Sequence, residues 1–507
     1  MPPTTIQLNN VSFAYEGAAQ PLLENIHATL PQGWSGIVGA NGTGKSTLMK
    51  LITGWLDPVE GVIHRPEQAI YCPQRTDEPP SMFREFFEDP DGFAYELYGR
   101  LGLEFDWLNR WNTLSHGERK RVQIALALWQ RPQVLAVDEP TNHLDAGARR
   151  VLGEALHTYR GVGVLVSHDR ELLDQLCQQC LFVEPPQVVV RPGGYTQGVE
   201  QGEREAAHQR KEFEKAKADQ QKLKRELQRR REDASRSAKR SSKRGLAKKD
   251  YDAKSKIDHA RVSGKDGVAG RLVRQMEGRL AQSQQRLEGA RFKKQAQLGI
   301  WMPGEISRRK TLFELPEGTL SLGDGRHLDY PNLAMRPDER VAVVGPNGTG
   351  KSTLIAHLVE RLNLEPERVI YLPQEIHLED SRNLLNEALQ LPGEALGRMM
   401  DVVSRLGSWP QRLLDSDAPS PGEIRKLMLA IGIARGPHLI VMDEPTNHLD
   451  LPAVECLEQA LDDCPCGLLL VSHDQRFLNR LTHIRWQIAS NRDEPNRHQL
   501  TVTSVPK

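Results

Sequence analysis

Residues 35–50, SGIVGANGTGKSTLMK, decide how the whole chain is read. An apolar run ends in glycine. A second glycine, lysine and serine follow, and apolar helix formers come next. G-x-x-x-x-G-K-[ST] between a strand and a helix is specific for a loop that wraps phosphate. The loop N–H groups and the helix N-terminus converge on the anion. The stretch returns at 340–355 as RVAVVGPNGTGKSTLI, with its lysine displaced by 306 positions (351 − 45). DEPTNHLD stands at 138–145 and again at 443–450, and VSHD at 166–169 and 471–474, both displaced by 305. The chain is therefore a tandem duplication of units of about two hundred residues, with an insert between them.

Each copy reads as α/β. QVLAVDE (133–139) and HLIVMDE (438–444) are apolar runs closed by carboxylates; VGVLVSH (162–168) and GLLLVSH (467–473) form a third pair. Such runs suit parallel strands buried on both faces. Ligands collect at the carboxyl ends of these strands, where every motif begins.

The residue types then assign roles. Gly39, Asn41, Gly42, Gly44, Lys45, Ser46 and Thr47, with Gly345, Asn347, Gly348, Gly350, Lys351, Ser352 and Thr353, form two nucleotide-phosphate cradles. The lysines reach the β/γ-phosphates, and Ser46 and Ser352 offer hydroxyls to Mg²⁺. Asp138 and Asp443 are placed to hold the metal through its waters. Glu139 and Glu444 are placed to take a proton from the attacking water. His168 and His473, each 29 residues further on (168 − 139 and 473 − 444), are expected to align water and γ-phosphate. Gln74 in IYCPQ and Gln374 in IYLPQ suit a metal and water contact.

With 507 residues the chain exceeds one hydrophobic core. No apolar run reaches the roughly 18 residues of a membrane span, and the N-terminus lacks an export pattern. Six cysteines without zinc spacing fit a reducing cytoplasm. The net charge of zero conceals a division: residues 201–310 hold 32 Lys+Arg against 15 Asp+Glu, a net of +17, so the remainder carries −17. A polyanionic partner is expected at the basic middle. Phe213, Leu223 and Leu227, and Val273, Met276, Leu280 and Leu287, are spaced for two antiparallel helices over 201–233 and 272–290. Between them, Arg236, Lys239, Arg240, Lys243, Arg244 and Lys248 share one helical face, with Lys249 beside it. A stripe of one sign is read as an RNA-phosphate contact.

The phosphate loop, Pro-Gln, Ser-x-Gly-Glu, Asp-Glu-Pro and Ser-His-Asp, in this order and twice over, resemble ATP-binding cassettes. The paired DEPTNHLD and the basic insert resemble the ABC-F family over nearly the whole chain. The resemblance implies a first cassette at 1–198, a basic helical linker at 199–306 with its tip near 234–268, and a second cassette at 307–507. It implies a cytoplasmic ATPase using ATP and Mg²⁺, active as a monomer whose cassettes close head to tail. It implies binding to the ribosome, with the linker near the tRNA exit site and peptidyl-transferase centre, in translation or antibiotic protection. A branched-DNA ATPase and a transporter subunit are the alternatives. Few residues follow His473 for an added DNA-binding domain, and the basic insert has no role in a transporter.

In the head-to-tail arrangement one site joins Tyr15 and Lys45 to Ser420, Gly422 and Glu423, and the other joins Lys351 to Ser115, Gly117 and Glu118. Two departures make these sites unequal. Ser-His-Gly-Glu at 115–118 becomes Ser-Pro-Gly-Glu at 420–423, where Pro421 at the first helical position removes one donor without breaking the helix. The aromatic that cassettes stack on adenine is present as Tyr15, whereas TLSLGDG (319–325) offers Gly323 and no ring. Different ATP affinities are expected.

Overall fold

A computed structural model describes the chain except residues 1–4, 19, 143, 241–264, 290–303, 375–377, 409–412, 414–420, 448, 492–493, 495 and 505–507. For 234, 236–240, 265–270, 289, 378–382, 421 and 434 it describes the backbone alone. Two compact units result: residues 1–198 with 296–507, and residues 199–295.

In the first copy a six-stranded sheet runs in the order Ala69–Cys72, Val134–Asp138, Val162–Val166, Gly33–Val38, Cys177–Glu184, Gln187–Pro192. All neighbours are parallel except the last pair. The central runs are continuous apolar segments because helices or the smaller sheet cover both faces. Val134–Asp138 and Val162–Val166 are buried at every position. A separate antiparallel sheet of Leu23–Leu30, Ile6–Phe13 and Glu60–His64 closes one side. Its Ile6, Leu8 and Leu30 share a core with Leu48 and Ile52 of the helix Lys45–Thr53.

The second copy repeats the parallel centre with Val369–Leu372, Leu439–Asp443, Gly467–Val471, Arg340–Val344 and Ile484–Ser490. Here the outer hairpin Gly318–Gly323/Arg326–Tyr330 continues the main sheet, making eight strands, because Arg326–Tyr330 pairs with the terminal strand Arg497–Ser504. The apolar runs of the sequence thus form the central strands of both copies. The six cysteines form no disulfide and are buried. Among the described residues no cluster of His, Cys, Asp and Glu forms a metal site, and no helix is long and apolar enough to cross a membrane.

In the unit 199–295, the helices Tyr195–Arg240 and Lys265–Gly289 run antiparallel. Arg231 meets Glu277 at 2.6 Å, while residues 212–226 and 279–286 line a common groove. Leu227 and Met276 are buried, and Val273, Leu280 and Leu287 are half-buried on the same side. The apolar spacing therefore produces a narrow seam. Arg236, Lys239 and Arg240 lie on the described backbone of the first helix; Lys243, Arg244, Lys248 and Lys249 lie outside the described residues.

Candidate functional site

Both phosphate loops owe their path to glycine. Gly44 and Gly350 precede their helices at φ of 97° and 91°, a conformation that penalises other residues. A Cβ there would also strike Leu22 in the first copy and Leu322 in the second, at 2.9 and 2.5 Å. The helices begin at Lys45 and Lys351. Lys45 Nζ donates to the Gly39 and Ala40 carbonyls, and Lys351 Nζ to those of Gly345 and Pro346, all at 2.9 Å. Burial lowers the pKa of both lysines, and facing carboxylates oppose that shift.

The strand-end acids converge on these loops. Ser46 Oγ donates to Asp138 at 2.8 Å, and Tyr71 donates to the same carboxylate oxygen at 3.0 Å. Ser352 Oγ donates to Gln374 Oε1 at 3.2 Å and is also bonded to Asp443. Asp443 Oδ1 is buried with no hydrogen-bond partner among the described residues. This hydroxyl, carboxylate and amide set consists of hard oxygen donors and fits Mg²⁺ shared with phosphates.

Glu139 and Glu444 take φ of 46° and 50°, each directly before a proline. Each carboxylate accepts from the backbone N–H of its histidine, Glu139 from His168 at 3.2 Å and Glu444 from His473 at 3.4 Å, and lines the same cavity as its phosphate loop. Positive φ at a non-glycine residue costs of order 1–3 kcal/mol and collects at functional sites. Burial, reinforced by the neighbouring aspartate, pushes Glu139 up to about 7. Burial likewise takes Glu444 to about 7, against the pull of Arg149. His168 Nε2 lies 3.2 Å from Glu139 Oε1, and His473 Nε2 lies 3.4 Å from Glu444 Oε1. Both Oε1 atoms lack a hydrogen bond of good geometry. Burial and the adjacent lysine hold both imidazoles neutral, with pKa lowered to about 3. Each site thus pairs a carboxylate that titrates near neutrality with a neutral imidazole, which suits proton removal from water.

A cavity of about 880 Å³ joins Tyr15, Asn41, Gly42, Gly44, Lys45, Ser46, Thr47, Gln74, Asp138, Glu139 and His168 to Gly422 and Glu423 of the second copy. Tyr15 is half exposed, edge-on to Phe13, and its hydroxyl is bonded to Thr47 at 2.8 Å. Gly39 closes the strand behind this loop, and Gly345 does so in the other copy. The signature helix of the second copy starts at Pro421; Ser420 lies outside the described residues.

The other cavity, about 420 Å³, gathers Asn347, Gly348, Gly350, Lys351, Ser352, Thr353, Gln374, Asp443, Glu444 and His473. Its wall from the first copy is Leu144 and Arg149, and Ser115, Gly117 and Glu118 do not line it. Ser115 and Glu118 instead cap their own helix reciprocally: Ser115 Oγ accepts from the Glu118 N–H, and Glu118 accepts from the Ser115 N–H. His116 is bonded to Thr76, two residues beyond Gln74. In place of the missing ring, Leu322 and Arg326 line the mouth, and Gly323 does not.

Five contributors carry no role in the sequence analysis. Asp145 and Asp450, the last residues of each DEPTNHLD, accept from the Asn347 and Asn41 N–H groups of the opposite loops at 3.2 and 2.8 Å. Their identical repetition was the available signal. Lys120, buried in the signature helix, donates to the Pro73 and Asp138 carbonyls, and Arg425, at the equivalent place, donates to the Pro373 carbonyl and to that of Glu444, one residue further along the strand end. Their basic character was visible, but their burial was not. Arg149 had no signal, because the other copy carries valine at that place.

Residues 23–142 and 328–447 each match the family model described as ABC transporter. The ribosome protection protein VmlR of Bacillus subtilis is 28% identical, covering 96% of this chain and 87% of that protein. The tylosin resistance ATP-binding protein TlrC of Streptomyces fradiae is 29% identical, covering 95% and 96%. The energy-dependent translational throttle protein EttA of Haemophilus influenzae is 26% identical, covering 89% and 86%. The solved structure titled RNase-L Inhibitor superposes with a TM-score of 0.64 at 19% identity, covering 98% of this chain and 90% of that one, and so shares the fold.

Proposed function

We propose that the chain is an ABC-F protein with two ATP-binding cassettes on one polypeptide, a Mg²⁺-dependent ATPase that binds the ribosome when its cassettes hold ATP. The observation that carries the reading is the pair of cavities, each joining one copy's phosphate loop, acids and histidine to residues of the other copy. Closure around ATP is favoured because each site is complete only with both copies present. In each site the loop lysine and amides hold the phosphates, the glutamate takes a proton from water, and the histidine holds that water in line. Ser46, Gln74 and Asp138, or Ser352, Gln374 and Asp443, would hold Mg²⁺, which when bound would supply charge neutralisation at the phosphates.

The basic linker is the surface offered to ribosomal RNA and tRNA. Its excess of +17 over residues 201–310 suits a phosphate backbone read by shape. The names of relatives, ribosome protection and translational throttle, support a role on the ribosome. On this reading the protein works in the cytoplasm and its linker lies near the exit site and peptidyl-transferase centre. The test is co-sedimentation of the Glu139→Gln/Glu444→Gln variant with ribosomes. Strong binding with ATP and weak binding without it is expected. ATP binding without ribosome association would overturn the ribosomal part.

A further inference from the structure

The two copies place different residues one helical turn beyond the aspartate that crosses to the opposite phosphate loop. Asp145 and Asp450 each cap a helix, Ala146–His157 and Leu451–Asp463. Four residues on, the same helical face carries Arg149 in the first copy and Val454 in the second. Val454 is 2% exposed and packs in the core of its own cassette. Arg149 instead lines the cavity of Lys351, Glu444 and His473, with its side chain 17% exposed. Its Nε donates to the Leu144 carbonyl at 3.0 Å, which fixes the stem. Its Nη1 lies 3.6 Å from Asp169, a loose contact that leaves guanidinium donors for a ligand. Its charge also acts on the site, opposing the burial shift of Glu444 and deepening that of His473.

We propose that Arg149 is a catalytic arginine supplied by the first cassette to the second cassette's ATP; among the described residues the first cavity receives no arginine from the opposite copy, only Lys426, whose ammonium donates to Ser408 at 3.3 Å. The proposal rests on the ATPase reading. Water attacks the γ-phosphorus, its proton passes to Glu444, the bond from the γ-phosphorus to the bridging oxygen breaks, and ADP and phosphate leave. Charge on the γ-phosphoryl oxygens and the bridging oxygen spreads during this transfer, and a planar guanidinium delivered from across an interface stabilises it. The site that receives Arg149 is the one without an adenine-stacking tyrosine, so catalytic charge and nucleotide grip are distributed unequally between the two sites.

The test silences the first site with Lys45→Ala and follows nucleotide at the second by fluorescence. Capture of ADP with aluminium fluoride, a mimic of the transferring phosphoryl group, should weaken about tenfold or more in Arg149→Val and in Arg149→Lys. Affinity for ATP should change much less, since the group acts on charge that develops during transfer. Asp169→Asn keeps a helix-capping oxygen but removes the charge that faces Arg149, and it should retain capture. With Lys351→Ala silencing the second site instead, Arg149→Val should leave capture at the first site unaltered. Equal capture by the parent and both Arg149 variants would overturn the proposal. So would an equal loss in Asp169→Asn, which would make Arg149 a prop for Asp169. A parent that binds no ATP at either site would overturn the ATPase reading itself.

Discussion

Glu139 and Glu444 combine a costly backbone with a costly protonation state. A carboxylate at a strand end before proline is driven away from helical φ, yet both adopt positive φ. Their buried carboxyls titrate near 7 in place of 4.5. The folded protein therefore holds these protons where the unfolded chain has released them. Stability contributed at low pH is lost as pH rises from about 4.5 to about 7, and stays lost above. Replacing both by Gln removes that loss. The double variant should be more stable than the parent at pH 8, by on the order of 1–3 kcal/mol per site, with the gap narrowing toward pH 5. Thermal unfolding of nucleotide-free protein at the two pH values checks this, and a pH-independent gap would refute it. Tyr15 differs in kind, because it is half exposed with its ring at the cavity mouth. Tyr15→Ala should weaken ATP binding at the first site by about 1–3 kcal/mol and spare the second, as titrations with one site silenced would show.

At the scale of elements, the cassette interface carries a one-sided ion cluster. Arg170, 3% exposed, opens a helix of the first copy and donates to Glu458 at 2.7 Å and Asp474 at 3.0 Å in the second. At the matching places the chain has Gln475 and Gly153, so the duplication does not repeat this cluster. Arg170 follows His168 by two residues, and Asp474 follows His473 by one, so the cluster ties the two histidine loops together. Arg170→Gln strands a buried carboxylate and should destabilise the protein by about 3–5 kcal/mol in urea unfolding. Adding Glu458→Gln should recover much of that loss; no recovery would place the effect elsewhere. Lys120 and Arg425 do comparable work within each copy, fastening the signature helix to the Pro-Gln turn and the acidic strand end. Lys120→Met leaves two carbonyls without their donor and should cost about 2–4 kcal/mol, while Lys120→Arg should be tolerated because Arg425 fills the same place in the other copy.

For the whole molecule, the segregation of charge sets the expected behaviour. The linker region carries +17 and the remainder −17, so overall neutrality hides a strong basic surface. Each lysine or arginine that neutralises a phosphate steepens the fall of affinity with salt. Neutralising Arg236, Lys239, Arg240, Lys243, Arg244, Lys248 and Lys249 to Gln should weaken ribosome binding and flatten its salt dependence. ATP binding at the cassettes should remain. Equal slopes for parent and variant would show that the stripe meets no phosphate.

Periodicity and motif spacing were enough for the duplication, the parallel strands, the two phosphate loops, the acids and histidines that end those strands, and the paired helices between. These features are local: a strand-turn-helix motif or a heptad stripe is written within a few dozen neighbouring residues. Beyond Gly422 and Glu423, which the resemblance already brought to the Lys45 site, the tertiary structure alone decided what crosses between the copies. Asp145 and Asp450 reach the opposite loops, Arg149 enters one site while Val454 is buried in a core, and Leu322 with Arg326 stands where the ring is missing. Lys120 and Arg170 belong to residue types that are mostly exposed, and they are 2% and 3% exposed in the fold. Their partners lie 18 to 304 positions away in the chain, a separation over which no residue pattern reports contact.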